Sequence, residues 1–90
     1  MDADNTHMDN EKKKDVAARL IAAMGDLDED QVMDCARRLL NDETDRFEIL
    51  RLLKEGLGKV GELYEKGEYF IADLIVSGTI YKSVLELPQM

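Results

Sequence analysis

The sequence contains little of the chemistry that catalysis and metal binding need. It has one cysteine, Cys35, one histidine, His7, and no tryptophan. A single cysteine excludes an internal disulfide, and neither a C-x-x-C nor an H-E-x-x-H spacing is present for zinc. A nucleophile needs a neighbouring base, but His7 lies in the polar, aperiodic stretch MDADNTHMDN. We therefore expect Cys35 to be a buried core residue, and we expect no catalytic residue and no metal ligand.

Basic residues, proline and long apolar runs are also scarce. Twelve lysines and arginines stand against twenty acids, which gives a net charge of −8, and the only proline is Pro88. Nucleic-acid binding is disfavoured because phosphate groups need a basic surface. The chain has no apolar run of about 18 residues and no signal peptide, so we expect a cytoplasmic protein without membrane contact.

What the chain does contain is apolar residues at helical spacing. The first helix is predicted from Asn10 to Met24, with Gly25 as the glycine after its end and Lys12, Lys13 and Lys14 facing water. The second begins at an Asp28 cap. The third begins at Thr44 or Asp45 and ends at Gly67, and the fourth runs from Ala72 to Leu87. Four such helices with short loops predict an all-α, antiparallel four-helix bundle at 10–87, after a disordered tail at 1–9 and before a linker that starts at 88–90.

The spacing also predicts the inner face of each helix. Those faces are Val16, Leu20, Met24 and Leu27; then Val32, Cys35, Ala36, Leu39 and Leu40; then Phe47, Leu50, Leu53, Leu57, Val60 and Tyr64; and finally Leu74, Ile75, Ile80, Tyr81, Val84 and Leu85. Three glycines interrupt the third helix, namely Gly56, Gly58 and Gly61. Each costs up to ~1 kcal/mol relative to alanine, so we expect a close approach by a neighbouring backbone or by a ligand. In particular, Gly61 is expected to let a neighbouring helix come close.

The junction between the third and fourth helices has an unusual composition. The stretch VGELYEKGEYFIADL, residues 60–74, brings Tyr64, Tyr69, Phe70 and Ile71 to the two sides of Gly67. Helix junctions are normally polar, since their backbone groups need water or caps. Three aromatic residues and an isoleucine at such a place predict a surface that covers something.

The block EGLGKVGELYEKGEYFIADLIVSGTIYKS, residues 55–83, resembles the helical cap module of cobalamin-dependent methyltransferase corrinoid proteins. This is the module that precedes the cobalamin-binding domain of methionine synthase. The matching places are the valine–glycine–acid run at 60–62, the aromatic Tyr64, the acid-x-glycine-acid turn at 65–68 and the Phe-led entrance to the next helix at 70–72. The sequence departs from the family pattern at Ala72, where a proline is usual, at Thr79, where an acid is common, and at Tyr81, where methionine is usual.

The resemblance implies a cofactor and a site. In the family, the bundle lies over the upper, methyl-bearing face of a corrinoid, which is cobalamin or a relative. Transferred by position, the residues that contact the cofactor are Tyr64, Ile71 and Leu74. The remaining apolar residues of this region are expected in the core, namely Leu57, Val60, Leu63 and Phe70.

The resemblance also implies partners. The family holds cobalt from below through an Asp-x-His-x-x-Gly loop on a following α/β domain, and this sequence does not contain that loop. The chain, which ends at LPQM where the family's linker begins, is therefore expected to be a fragment that is not catalytic alone. Its expected partners are the cobalamin-binding domain and methyltransferase proteins.

Two other functions are compatible with the residues. One is the cap of a cobalamin-responsive regulator, although those relatives carry a tryptophan near the upper ligand and this chain has none. The other is a four-helix protein-interaction module that uses the aromatic corner as its docking patch.

Overall fold

The computed structural model describes residues 8–90, and this part of the chain consists of four helices and no strand. The helices are α1 (Asn10–Gly25), α2 (Glu29–Asn41), α3 (Arg46–Glu65) and α4 (Ile71–Leu85). The predicted all-α, four-helix bundle is confirmed. Of the tail that was predicted at 1–9, residues 1–7, which include His7, lie outside the described residues. None of the four helices has the length and apolar content that crossing a membrane would require.

Aspartates begin the first three helices, as expected for residues whose carboxylates accept hydrogen bonds from free N–H groups of the first turn. Asp9 accepts from the N–H of Lys12 at 2.8 Å, and Asp28 accepts from that of Gln31 at 3.2 Å. Asp45, one of the two residues predicted to cap α3, accepts from Phe47 at 2.8 Å.

The first three helices end in the same backbone motif. One residue adopts a left-handed conformation, and the N–H after it bonds to a carbonyl five residues back, which is the Schellman arrangement. The left-handed residues are Leu27 (φ 59°), Glu43 (φ 66°) and Gly67 (φ 79°). The prediction that Gly25 fills this position in α1 is wrong. Gly25 is instead the last helical residue and is buried, with the side chain of Lys59 beside it.

The core lies mainly between α1, α2 and the first two-thirds of α3, and the second half of α4 closes it. Its most fully buried large side chains are Leu20, Met24, Leu39, Ile49, Leu53 and Ile80. The predicted inner face of α2 is confirmed at every position. Cys35 is part of that face, and burial raises the pKa of its thiol, so the cysteine is a packing residue as expected.

The predicted inner face of α3 is partly wrong. Leu53 and Val60 are buried as expected, but so are Ile49, Leu52 and Gly56, which the prediction omitted. Phe47 is 67% exposed. The helix carries apolar residues around much of its circumference, so spacing alone did not fix which side faces the core.

The three glycines of α3 differ in their surroundings. A Cβ atom built at Gly56 would overlap Met24 and would lie 2.9 Å from the backbone oxygen of Ile21, so α1 approaches α3 closely there. At Gly58 and Gly61 a Cβ atom would meet nothing within 4 Å. The expectation that Gly61 admits a neighbouring helix is therefore wrong, and Gly56 has that role.

Asp42 joins the start of α1 to the end of α2. Its buried carboxylate accepts a hydrogen bond of 3.0 Å from the N–H of Met8 and forms an ion pair of 3.1 Å with Lys13. The prediction that Lys13 simply faces water is wrong, because the lysine is partly covered and paired. Met8 packs against the core, although the sequence places it in the tail.

Candidate functional site

The junction between α3 and α4 is a tight corner. After Gly67, the N–H groups of Glu68 and Tyr69 both donate to the carbonyl of Leu63, at 2.9 Å and 3.1 Å. The backbone N–H of Phe70 then donates to the carboxylate of Asp73 at 2.8 Å. This last bond stabilises the first turn of α4, which begins at Ile71.

The corner exposes an unusual amount of apolar surface. Tyr64 is 40% exposed, Phe70 is 70% exposed, Ile71 is 62% exposed and Ile75 is 65% exposed, while Leu74 is half-buried. We call these five residues the corner patch. Ile71, Leu74 and Ile75 follow one another at three- and four-residue spacing, so they share one face of α4.

All three residues predicted to contact the cofactor belong to the corner patch. Tyr64 comes from the last turn of α3, and Ile71 and Leu74 come from the first turn of α4. The structure therefore places them at one corner of the molecule. That they contact a cofactor stays a prediction.

The patch contains two residues that the sequence assigned elsewhere. Phe70 was expected in the core, and this is wrong, because it is the N-cap residue of α4 and its side chain is largely exposed. Ile75 was placed on the inner face of α4 and is also exposed. Its spacing of four residues from Ile71 was the signal that could have identified it. The other expected core residues fare better, with Val60 buried and Leu57 and Leu63 half-buried.

The side chains of the corner patch are suited to covering a bound group and not to reacting with it. Four of its five side chains are hydrocarbon, and Tyr64 adds one phenol. Among residues 8–90, no group of three or more histidine, cysteine, aspartate or glutamate side chains is arranged to hold a metal ion. Such a surface can exclude water from a bound group, but it offers little that could coordinate or protonate that group.

A family model described as the B12 binding domain matches residues 16–87, which is more than half of the chain. The chain belongs to this family. It is the helical cap domain of corrinoid proteins, and the match extends beyond the block at residues 55–83 to α2 and to α1 from residue 16 onward. No solved structure matches the chain.

Membership of the B12-binding family associates this chain with cobalamin or another corrinoid. A corrinoid presents a broad, flat face, and the corner patch, which is exposed and largely hydrocarbon, has the chemistry that would suit covering such a face. The patch has no histidine to serve as an axial ligand, since the only histidine of the sequence is His7. The described residues therefore fit a role as one wall of a corrinoid site.

Proposed function

We propose that this bundle covers the upper, methyl-bearing face of a corrinoid during methyl transfer, while a separate cobalamin-binding domain holds the cobalt from the other side. The observation that carries the proposal is the corner patch, which is exposed in a chain of the B12-binding family. Its predicted contact residues remain Tyr64, Ile71 and Leu74, and Phe70 and Ile75 extend the surface.

The energetics support an occupant for the patch. Apolar surface gains roughly 25 cal/mol for each Å² that is removed from water, so the exposed side chains gain by packing against a flat apolar face. Single exposed apolar residues are ordinary, but several adjoining ones in a small soluble domain are typical of a binding surface. Ile71 and Ile75, exposed on the same face of α4, are such neighbours.

The side chains of the corner patch indicate which role belongs to the protein and which belongs to the cofactor. When bound, the corrinoid would supply a cobalt centre that can carry a methyl group. The residues of the corner patch exclude water and oxidants from that face and offer no strong competing ligand. We infer that the bundle is not catalytic alone, and that partner methyltransferases gain access when it moves aside.

A titration of the ¹⁵N-labelled chain with methylcobalamin, followed by NMR, tests the proposal. We expect weak binding, because the chain supplies one wall only, with the largest shift changes at residues 63–75. Replacing Tyr64 and Leu74 together by alanine should weaken this binding by about tenfold, which corresponds to losing ~1.4 kcal/mol of contact.

Phe47→Ala is the matched control for that double variant. Phe47 is another exposed aromatic residue of α3, but it lies at the opposite end of the helix, beside Arg46. Its removal should leave the binding of methylcobalamin unchanged. The proposal is wrong if millimolar methylcobalamin shifts no resonance of the corner patch, or if the double variant binds as well as the unmodified chain.

A further inference from the structure

Tyr69 connects the corner patch to a helix that is distant in the sequence. Its hydroxyl donates a hydrogen bond of 2.8 Å to the backbone carbonyl of Gly25, across a sequence separation of 44 residues. Gly25 is the last residue of α1, and Tyr69 directly precedes Phe70 and Ile71 of the corner patch. The bond therefore ties the start of α4 to the end of α1.

This hydrogen bond completes the end of α1. The last four carbonyl groups of a helix have no partner within the helix and need donors from elsewhere. The backbone N–H groups of residues 26–28 donate to the carbonyls of residues 22–24. The remaining carbonyl, that of Gly25, accepts the hydroxyl of Tyr69. Because Gly25 is buried, loss of the hydroxyl would leave this carbonyl without a partner, which is unfavourable.

Few other polar contacts fix the direction of the corner. Among residues 8–90, no second hydrogen bond joins the segment 61–76 to α1 or α2. The first buried residue of α4 is Ser77, so the opening turn and a half of that helix places no side chain fully in the core. The Tyr69 bond is therefore the main polar restraint on the segment that carries the patch.

The surroundings of Tyr69 keep its hydroxyl a donor. Burial raises the pKa of the phenol, and the carboxylates of Asp26, Asp73 and Glu68 raise it further by disfavouring a phenolate. A phenol donates a hydrogen bond only while it is protonated. The bond to Gly25 is thus maintained through the neutral pH range.

We propose that Tyr69 is a positioning residue for the corner patch: its hydrogen bond to the Gly25 carbonyl sets the angle between the α3–α4 corner and α1. It thereby sets the direction in which Tyr64 and Ile71 face. Its consequence for corrinoid binding rests on the proposed function, whereas its consequence for the angle does not. With this bond intact, the corner moves together with α1, so the cap swings as a unit and does not bend at the corner.

The test is Tyr69→Phe in the 90-residue chain, because phenylalanine keeps the ring and removes only the hydroxyl. Residual dipolar couplings should show that segment 61–76 has reoriented relative to α1. Amide hydrogen exchange within that segment should accelerate by about fivefold, the factor expected for one lost hydrogen bond, while α2 is unaffected. Tyr81→Phe is the control, since the Tyr81 hydroxyl makes no hydrogen bond with the described residues and lies outside the patch.

Binding of methylcobalamin supplies the second readout. Tyr69→Phe should weaken it by about threefold or more without altering a patch side chain, and Tyr81→Phe should not. Unchanged couplings in Tyr69→Phe, or a uniform acceleration of exchange in all four helices, would overturn the positioning role. If the unmodified chain does not bind methylcobalamin, the proposed function fails, yet the couplings still decide whether Tyr69 sets the angle. If the chain binds and Tyr69→Phe binds equally well, the positioning inference alone fails.

Discussion

At the scale of single residues, the glycines of α3 show how one residue type has different roles within one helix. Gly56 is the point where Met24 of α1 packs against the backbone of α3, and no side chain fits between them. Gly58 is exposed, and a Cβ atom at this position would meet no other atom within 4 Å. Only the first glycine has its helix-propensity cost offset by packing inside the chain.

Alanine substitutions at these two positions should change stability in opposite directions. Gly56→Ala should lower the free energy of unfolding by about 1–3 kcal/mol, because the new methyl group overlaps Met24. Gly58→Ala should raise it by about 0.5–1 kcal/mol, because the methyl group meets no atom and the helix gains propensity. Urea denaturation of the two variants checks both values. A stabilising Gly56→Ala would show that α1 and α3 are less closely packed than described.

Part of the candidate site could be predicted from the sequence. Tyr64, Ile71 and Leu74 came from positions matched to a family motif, and the structure places all three at one exposed corner. Phe70 was predicted in the core because large aromatic side chains are usually buried. The residues next to it in the sequence do not reveal that no other helix of residues 8–90 packs over this corner.

At the scale of helices, the Schellman motifs differ in the backbone strain of their left-handed residue. Gly67 adopts its left-handed conformation freely, but Glu43 holds the equivalent position at the end of α2 with φ 66°. A residue with a Cβ atom in this region is strained by roughly 1–2 kcal/mol. The helix ends are therefore alike in hydrogen bonding but not in backbone strain.

Placing glycine at position 43 should remove the backbone strain at the end of α2, and placing alanine at position 67 should introduce such strain at the end of α3. Glu43→Gly should raise the free energy of unfolding by about 0.5–1 kcal/mol, because the exposed glutamate loses its strain. Gly67→Ala should lower it by about 1 kcal/mol, and by backbone strain alone, since its methyl group meets nothing within 4 Å. Thermal unfolding of both variants measures the two changes. If Glu43→Gly were destabilising, the left-handed conformation at the end of α2 would be in doubt.

The helices also differ in how well their inner faces could be predicted. The inner face of α2 followed directly from the sequence, because every exposed residue of this helix is charged or carries a side-chain amide. The sequence of α4, from Ile71 to Leu85, is apolar on nearly every side, so its spacing did not separate buried Ile80 from exposed Ile75. A stripe is informative only when the opposite side is polar.

At the scale of the whole molecule, the core is concentrated away from the proposed site. The buried residues of α1, α2 and the first two-thirds of α3 pack together, whereas the end of α3 and the start of α4 hold the exposed corner patch. The molecule thus has a well-packed body and a corner with fewer internal contacts. This arrangement suits a cap, because its contact surface is complete only when a partner covers it.

Native-state hydrogen exchange should reveal this asymmetry. Amides at residues 16–24, 32–40 and 49–56 should open only by global unfolding, while those at 61–76 should exchange through smaller, local openings. Saturation with a corrinoid-loaded partner domain should slow exchange at 61–76 selectively. Equal protection along all four helices would show that the corner is held by as many internal contacts as the rest of the molecule.

The sequence by itself determined the four helices, the Asp28 cap of α2, the buried face of α2 and the family motif around Gly67, because these depend on neighbours within a few residues. Only the tertiary structure decided that α1 approaches α3 at Gly56 and not at Gly61, and that Phe70 and Ile75 face outward. It alone brought the Tyr69 hydroxyl to the Gly25 carbonyl. The physical reason is that a helix apolar on several sides can pack in more than one rotation, and the choice is made by the shapes of the helices that it meets.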